Sequence, residues 1–273
     1  MKNYLVFRLY GPLASWGQAA VGGDRPTGVQ PTRSAILGLL GAALGIRRDD
    51  EAGLKALQHS VEVAVKQTMP STLMRDYQTA QVPPQNNKVV HRTRKSELSE
   101  DNLKTVLSSR DYRCDGLWIV AVSLTDEASA DETGFSLAQL QAALLKPVFT
   151  LCLGRKSCPP ALPLKPQIVE NLSLKDALDT SFPALTGSEK SDALWLGHTG
   201  RVTYFWEGDK DAIDDKRVLT VHPWDEPVHR QRWQFRQRTQ YQLSVSETRS
   251  SEATGSELHG SEETGKEDGH VSV

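Results

Sequence analysis

The first fifty residues constrain this chain more than any other stretch. An apolar segment, Tyr4 to Leu9, runs into Gly11-Pro12 and Trp16-Gly17-Gln18, then into Asp24-Arg25-Pro26-Thr27-Gly28 and Pro31-Thr32-Arg33-Ser34. A glycine-studded apolar run, Ile36 to Gly45, follows. That run is too apolar to face water, so it is expected to be a helix clamped in a core, which holds the preceding loop rigid. Tyr4, Val6 and Arg8 alternate with Leu5, Phe7 and Leu9, the pattern of a strand with two buried faces and hence of a central one. Thr32 or Ser34 is placed to cap the helix and Gly45 to stop it. Gly38, Gly41 and Gly45 each cost an isolated helix about 1 kcal/mol relative to Ala, and close backbone approach to a sheet is the expected compensation. A helix N-terminus fed by a loop of Gly, Arg and hydroxyls also suits a phosphate, because its first N–H groups lack partners and carry partial positive charge.

The rest of the chain continues the pattern. Leu54 to Ser60 reads as a short helix and Val61 to Val65 as a strand. Residues 69–113 are polar and basic, with Pro83-Pro84 and Asn86-Asn87 as turn markers, and are expected to form a protruding hairpin or long excursion. Leu117 to Leu124 reads as a buried strand. Ser136 and Gln139 have capping-box spacing before a helix that Pro147 ends. Leu151 to Leu153 reads as a strand entering the turn Gly154-Arg155-Lys156-Ser157, and further strands are expected at 201–206, 217–222 and 228–243. This order is similar to the split βαβ arrangement of ferredoxin-like domains. The expected organisation is α+β: a ferredoxin-like domain over 1–158, a smaller β-rich unit over 159–243, and a disordered acidic tail over 244–273.

Charge is divided unevenly. The formal net charge is −2, yet residues 244–273 carry seven acids against Arg249 and Lys266, and residues 1–125 carry sixteen Lys and Arg against eleven Asp and Glu. A mildly basic folded part fits a polyanionic partner. The three cysteines, Cys114, Cys152 and Cys158, form no CxxC pair, which argues against a disulfide framework or a zinc site and for a reducing, cytoplasmic setting. No segment reads as a signal peptide or membrane span, and no cofactor motif is present.

Three basic loops carry the candidate binding residues: Asp24 to Ser34, with Arg25, Thr27, Arg33 and Ser34; Lys88 to Lys95, with Lys88, Arg92 and Arg94, approached by Arg75 and Tyr77; and Arg155, Lys156 and Ser157. Gly admits the backbone to a phosphate, Arg and Lys supply charge, and Ser and Thr supply hydroxyl donors. Trp16, Tyr77 and Tyr112 lie near these loops, and stacking on unpaired bases is worth about 1–3 kcal/mol per base. The set suits single-stranded RNA better than duplex DNA, since no recognition helix is evident. Each feature also has an ordinary structural role: Arg25 and Arg33 could pair with Asp24 or Asp49, Trp16 could be a core lid, and Lys88 to Lys95 a solvated edge.

Taken together, Gly11-Pro12 with Trp16-Gly17-Gln18, Arg25-Pro26-Thr27-Gly28 with Pro31-Thr32-Arg33-Ser34, Leu73 with Arg75-Asp76-Tyr77, Leu153-Gly154-Arg155-Lys156-Ser157 and Asp225-Glu226-Pro227 closely resemble the Cas-five-type subunits of type I-E CRISPR surveillance complexes. The resemblance spans about residues 1–243 and excludes the acidic tail. It implies an RNA-recognition-like domain with a thumb hairpin at about 75–113, and a subunit that grips the 5′ repeat-derived handle of CRISPR RNA. It also implies that this subunit ends a filament of Cas-seven-type backbone subunits and touches the large target-recognition subunit, with target DNA met only indirectly. The competing reading is a metal-independent endoribonuclease using His91, Tyr112 and Lys95 as general base, general acid and charge stabiliser. A purely structural adaptor, using Trp195, Trp206, Trp224 and Trp233 at protein interfaces, is the third.

Overall fold

The computed structural model describes residues 1–246 except 21, 86–89, 127, 129–133, 197–199, 230, 231 and 233. The expected central strand is β1 (Lys2–Tyr10), and two short strands follow it, β2 (Leu13–Ala14) and β3 (Asp24–Arg25). The apolar run is α1 (Arg33–Leu44). Thr32, not Ser34, is its N-cap, with the side chain accepting from the Ala35 N–H, and Gly45 ends it in the left-handed conformation at φ 78°. Gly41 faces Leu54 and Leu57 rather than the sheet, so its missing side chain makes room for α2 (Glu51–Ser60).

From α2 the chain enters β4 (Val61–Met69) and passes directly into β5 (Thr72–Val82). The short α3 (Arg94–Leu98) lies beyond it, and the chain returns through β6 (Lys104–Cys114) into β7 (Leu117–Leu124). The basic excursion is thus a long antiparallel hairpin, in register from Thr72 opposite Cys114 to Val82 opposite Lys104. Next comes α4 (Leu137–Leu145), opened by the capping box: Gln139 N–H donates to Ser136 Oγ at 3.2 Å and Ser136 N–H to Gln139 Oε1 at 2.8 Å. Residues 151–160 form no strand; they make a tight turn in which the Leu153 N–H donates to the Cys158 carbonyl at 2.7 Å.

The C-terminal part supplies β8 (Gln167–Leu172), α5 (Leu174–Leu178), α6 (Glu189–Trp195), β9 (Arg201–Trp206) and β10 (Leu219–Val221). The single strand expected over 228–243 is instead three: β11 (Glu226–His229), β12 (Gln234–Arg236) and β13 (Gln240–Ser246). One antiparallel sheet runs β10-β13-β9-β4-β7-β1-β8, so strands from the expected smaller unit hydrogen-bond onto both edges of the N-terminal ones. Ser244 to Ser246 lie in β13; the remainder of the expected tail is outside the described residues.

Both faces of this sheet are covered. Leu5, Phe7, Val63, Val65, Val120 and Val122 pack with Ile36, Leu40, Leu140 and Leu144 of α1 and α4. On the other face Tyr4, Val6, Ile119, Tyr204 and Trp206 pack with Leu174, Ala177 and Leu178 of α5. At about 25 cal/mol per Å² of apolar area, these two layers supply the main drive to fold.

Candidate nucleic-acid interface

The hairpin leaves the sheet at the end where β4 and β7 meet, Met69 opposite Leu117, and β1 reaches the same end, Tyr10 opposite Leu117. The loop after β1 therefore folds against the hairpin base: β2 pairs with Cys114 and Arg113, and β3 runs parallel to β6 beside Ser109 and Arg110. The turn at 151–158 closes the third side. Ser15 N–H donates to the Leu153 carbonyl at 2.9 Å, and Gly154 has φ 87° with its Cα so near Ser15 that an added Cβ would sit 1.9 Å from the Ser15 carbonyl oxygen. Glycine is required there on both counts.

Asp111 is the hub. Arg75 Nε and Nη2 donate to its two carboxylate oxygens at 2.8 and 3.0 Å, a bidentate pair. Its carbonyl accepts from Ser15 Oγ at 3.1 Å and from Arg155 Nη1 at 3.4 Å. Arg155 Nη2 donates to the Arg25 carbonyl at 3.0 Å, and its guanidinium lies 4.9 Å from the centre of the Tyr112 ring. Arg113 Nε donates to the Gly28 carbonyl at 3.1 Å. The Arg75 hydrogen bonds, aided by the fields of Arg75, Arg155 and Arg113, hold the Asp111 carboxyl below its ordinary range. The Asp111 carboxylate thus holds Arg75, while backbone carbonyls of Asp111, Arg25 and Gly28 hold Arg155 and Arg113, guanidinium groups drawn from three separate segments. Arg25, Lys156 and Ser157 stand exposed on the segments joined here, and Arg110 is exposed on the opposite side of β6 from Asp111.

The sequence candidates divide. The structure brings together Arg25, Arg75, Arg155, Lys156 and Ser157, with Tyr77 exposed two residues along β5 from Arg75. Trp16 is buried, its ring edge-on to Trp118 at 5.1 Å, so it belongs to the core and offers no stacking face. Thr27 is buried as well, its Oγ1 accepting from the Trp16 N–H at 2.7 Å; it fastens the loop. Arg33 is inside the protein and pairs with neither Asp24 nor Asp49. Its Nε is 2.6 Å from Glu226, it also pairs with Glu207, and its Nη2 donates to the Gln58 carbonyl at 2.7 Å. The N-terminus of α1 is occupied too: Arg33 N–H donates to Asp225 Oδ2 at 2.8 Å, so an internal carboxylate takes the place foreseen for a phosphate. Arg238 completes this buried network on Asp225 and Glu207. Ser34 lies beside Thr32 at 3.2 Å on the same turn.

The second basic loop stays apart. Arg94 pairs with Glu97 and with the Gln81 carbonyl at the far end of the hairpin, seven residues or roughly 24 Å along the strand from Met74, which faces Tyr112. Arg92 is exposed in the same region, and Lys88 lies outside the described residues. His91 and Lys95, near that far end, are likewise separated from Tyr112 at the base, and Tyr112 is buried beneath Arg155. Trp206 is core while Trp195 and Trp224 are exposed; Trp233 is outside the described residues. Among the described residues no His, Cys, Asp and Glu side chains cluster to hold a metal ion, and no helix is long and apolar enough to cross a membrane. Sequence reasoning missed Asp111, and counted Arg110 and Arg113 among the basic residues of the 69–113 excursion without placing them in the binding set. Strand alternation puts Asp111 and Arg113 on one side and Arg110 on the other.

Comparison with known proteins follows the same residues. The model of a CRISPR-associated protein family (Cas_Cas5) matches residues 4–241. The "CRISPR system Cascade subunit CasD" of Escherichia coli (strain K12) is 41% identical over 172 residues, which is 60% of this chain and 70% of that protein. Among solved structures, one titled "CRISPR RNA-guided surveillance complex" aligns with TM-score 0.59 at 23% identity, covering 89% of each chain. Another, titled "Crystal structure of Cas protein", aligns with TM-score 0.55 at 22% identity over 89% of this chain and 94% of that one. With the glycine turn, the arginine loop and the buried Asp225-Glu226-Pro227 anchor now placed in one fold, the chain belongs to the Cas5 family of CRISPR-associated proteins.

Proposed function

We propose that this chain is a non-catalytic, RNA-holding subunit of a Cascade-type surveillance complex, working in the cytoplasm, and that the cradle around Asp111 grips the 5′ handle of CRISPR RNA. The observation that carries the reading is the meeting of the Arg25 loop, the hairpin base and the Gly154 turn on one exposed, guanidinium-rich surface. A single strand with its phosphates toward Arg25, Arg110, Arg155 and Lys156 and one base on Tyr77 matches the chemistry of that surface. The central order β8-β1-β7-β4 with α1 and α4 on one face supports a ferredoxin-like, RNA-recognition-like domain, with the β5–β6 hairpin as its thumb. Closure of the other sheet face by α5 favours RNA at the sheet's end rather than across the strands. The exposed hairpin, with Leu73, Met74 and Leu107 uncovered, is the surface we assign to a Cas-seven-type neighbour, and exposed Trp195 and Trp224 to the large subunit. The separation of His91 and Lys95 from Tyr112 favours holding over cleavage.

The test is retention of handle RNA by the assembled complex. Arg155→Ala and Lys156→Ala together are expected to reduce RNA co-purification several-fold while assembly with the neighbouring subunits persists. Unchanged retention, or release of a discrete 2′,3′-cyclic phosphate product from repeat RNA in the presence of chelator, would overturn the reading.

A further inference from the structure

The sheet face that α5 covers carries a cavity with its own buried charge. Strand register places Arg8 of β1 opposite Ile119 of β7, Ile119 opposite Lys66 of β4, and Lys66 opposite Tyr204 of β9, one row across four strands. The segment 179–185 that follows α5 forms the opposite wall of a cavity of about 340 Å³ over Arg8, Ile119 and Lys66. That volume lies at the small end of ligand sites, which run from roughly 300 to 1,000 Å³. Leu117, Ile119, Leu178 and Phe182 give it apolar walls, and the exposed Ser181, Pro183 and Glu189 lie on its rim. Its two buried cations differ. Lys66 Nζ is spent on Asp179 Oδ1 at 2.8 Å. Arg8 is 5% exposed, and its Nε donates to the Pro163 carbonyl at 3.4 Å and its Nη1 to the Pro183 carbonyl. Among the described residues it pairs with no carboxylate. Asp192, whose field reaches it, already accepts from the Leu185 N–H at 2.6 Å and from the Thr186 N–H and hydroxyl at 2.7 Å each. Two of the five guanidinium N–H donors of Arg8 are thus taken. Thr68 Oγ1, on the same cavity, is buried without a hydrogen-bond partner among the described residues. A buried charge without a counter-ion and a buried hydroxyl without a partner are both costly, and both point to a polar ligand.

We infer that this cavity binds a small organic carboxylate with a flat apolar body, its carboxylate on Arg8 and its body against Ile119, Leu178 and Phe182. The inference does not depend on the RNA reading, since none of these residues belongs to the Arg25 loop, the hairpin base or the Gly154 turn. The head group follows from charge. Lys66 is already neutralised, and Asp192 and Glu189 border the cavity, so a monoanion satisfies Arg8 where a doubly charged phosphate is repelled. A guanidinium also matches the planar geometry of a carboxylate. The body follows from the walls, apolar on the sheet side and again at Leu178 and Phe182, which favour a flat ring over a polar chain. Asp192 hangs the segment at Leu185 and Thr186 on α6, whose Leu194 and Trp195 are exposed, so a seated ligand steadies α6 as well.

The probe is 1-naphthoate, titrated into the full chain and followed by calorimetry and two-dimensional NMR, with the uncharged naphthalene-1-carboxamide as control. The acid is expected to bind saturably with a Kd of about 1 mM or below, and at least about 10-fold more tightly than the amide, one ion pair's worth of discrimination. The largest shifts should fall on the Arg8 Nε–H and the Ile119 and Leu185 amides, and none on Tyr77 or Lys156. Arg8→Gln is expected to abolish the difference between acid and amide. Since Arg8 also fastens two loops, Ala184→Phe supplies an independent variant: it fills the cavity, leaves Arg8 in place and should weaken naphthoate about 10-fold or more. Equal affinity for acid and amide, or unchanged naphthoate affinity in Ala184→Phe, overturns the inference. Shifts centred on the Arg25 loop overturn it too, by placing the anion in the cradle instead.

Discussion

Arg33 sits within the motif that most resembles a phosphate loop, and it is the residue whose type alone misleads most. Its guanidinium is buried between Glu207 and Glu226 and ties α1 to the C-terminal strands. Removing one partner of such a pair leaves an uncompensated buried charge, at a cost of about 3–5 kcal/mol. Arg33→Met is therefore expected to lower unfolding free energy in urea by that order, with RNA affinity of the remaining folded protein unchanged; an affinity loss without destabilisation would return Arg33 to the binding set. Burial of Glu207 pushes its carboxyl up despite both arginines, so this network gains nothing from high pH. Gly154 is the opposite case, a residue with no chemistry of its own whose substitution disturbs the site most. Gly154→Ala must adopt positive φ and move the Ser15 backbone. A loss of at least about 2 kcal/mol, read as a fall in thermal midpoint of several degrees, is the expected outcome, together with displacement of Arg155 and weaker RNA retention.

At the scale of elements, local signals were legible and long-range ones were not. The capping box at Ser136, the Gly45 stop and the two-faced alternation of β1 are rules of neighbours at most four residues apart, and all three hold. Residues 151–153 are apolar enough for a strand, yet their hydrogen bonds go to Cys158 and Ser15 rather than to a ladder. Nothing local announces that β9 and β13 join the sheet of β4, because that pairing joins segments far apart in the chain. In the cradle, arginines were visible by type, whereas the carboxylate that holds Arg75 was not, since Asp111 acquires its role only when β5 lies opposite it. That role has a pH consequence. The folded-state pKa of Asp111 is depressed by Arg75, so the pair stabilises the hairpin base fully above the ordinary carboxylate range and loses that contribution as pH falls through the depressed value. Amide-exchange protection of β6 should fall on acidification below about pH 4, and Asp111→Asn should remove that acid-dependent step and loosen the base even at neutral pH. An unchanged pH profile in the variant would detach the carboxylate from hairpin stability.

For the whole molecule, the division of labour is spatial: two covered sheet faces provide rigidity, and one sheet end brings the Arg25 loop, the hairpin base and the Gly154 turn together. This makes the salt response a measure of architecture. A single strand neutralised by Z cations shows an affinity falling with salt at a log–log slope of about −0.7Z. If Arg25, Arg110, Arg155 and Lys156 form one contact surface, the intact chain should titrate with a slope of about −3 on handle RNA, and each of the four Ala variants should shorten it by about 0.7. Arg94→Ala, at the far end of the hairpin and already held by Glu97, should leave the slope nearly unchanged. Loss of slope at Arg94 comparable to that at Arg155 would mean that the strand runs the length of the hairpin instead of seating at its base. The same titration separates charge from shape: a residual affinity that persists when the slope has been consumed belongs to stacking on Tyr77 and to the fit of the Gly154 turn, which salt does not screen.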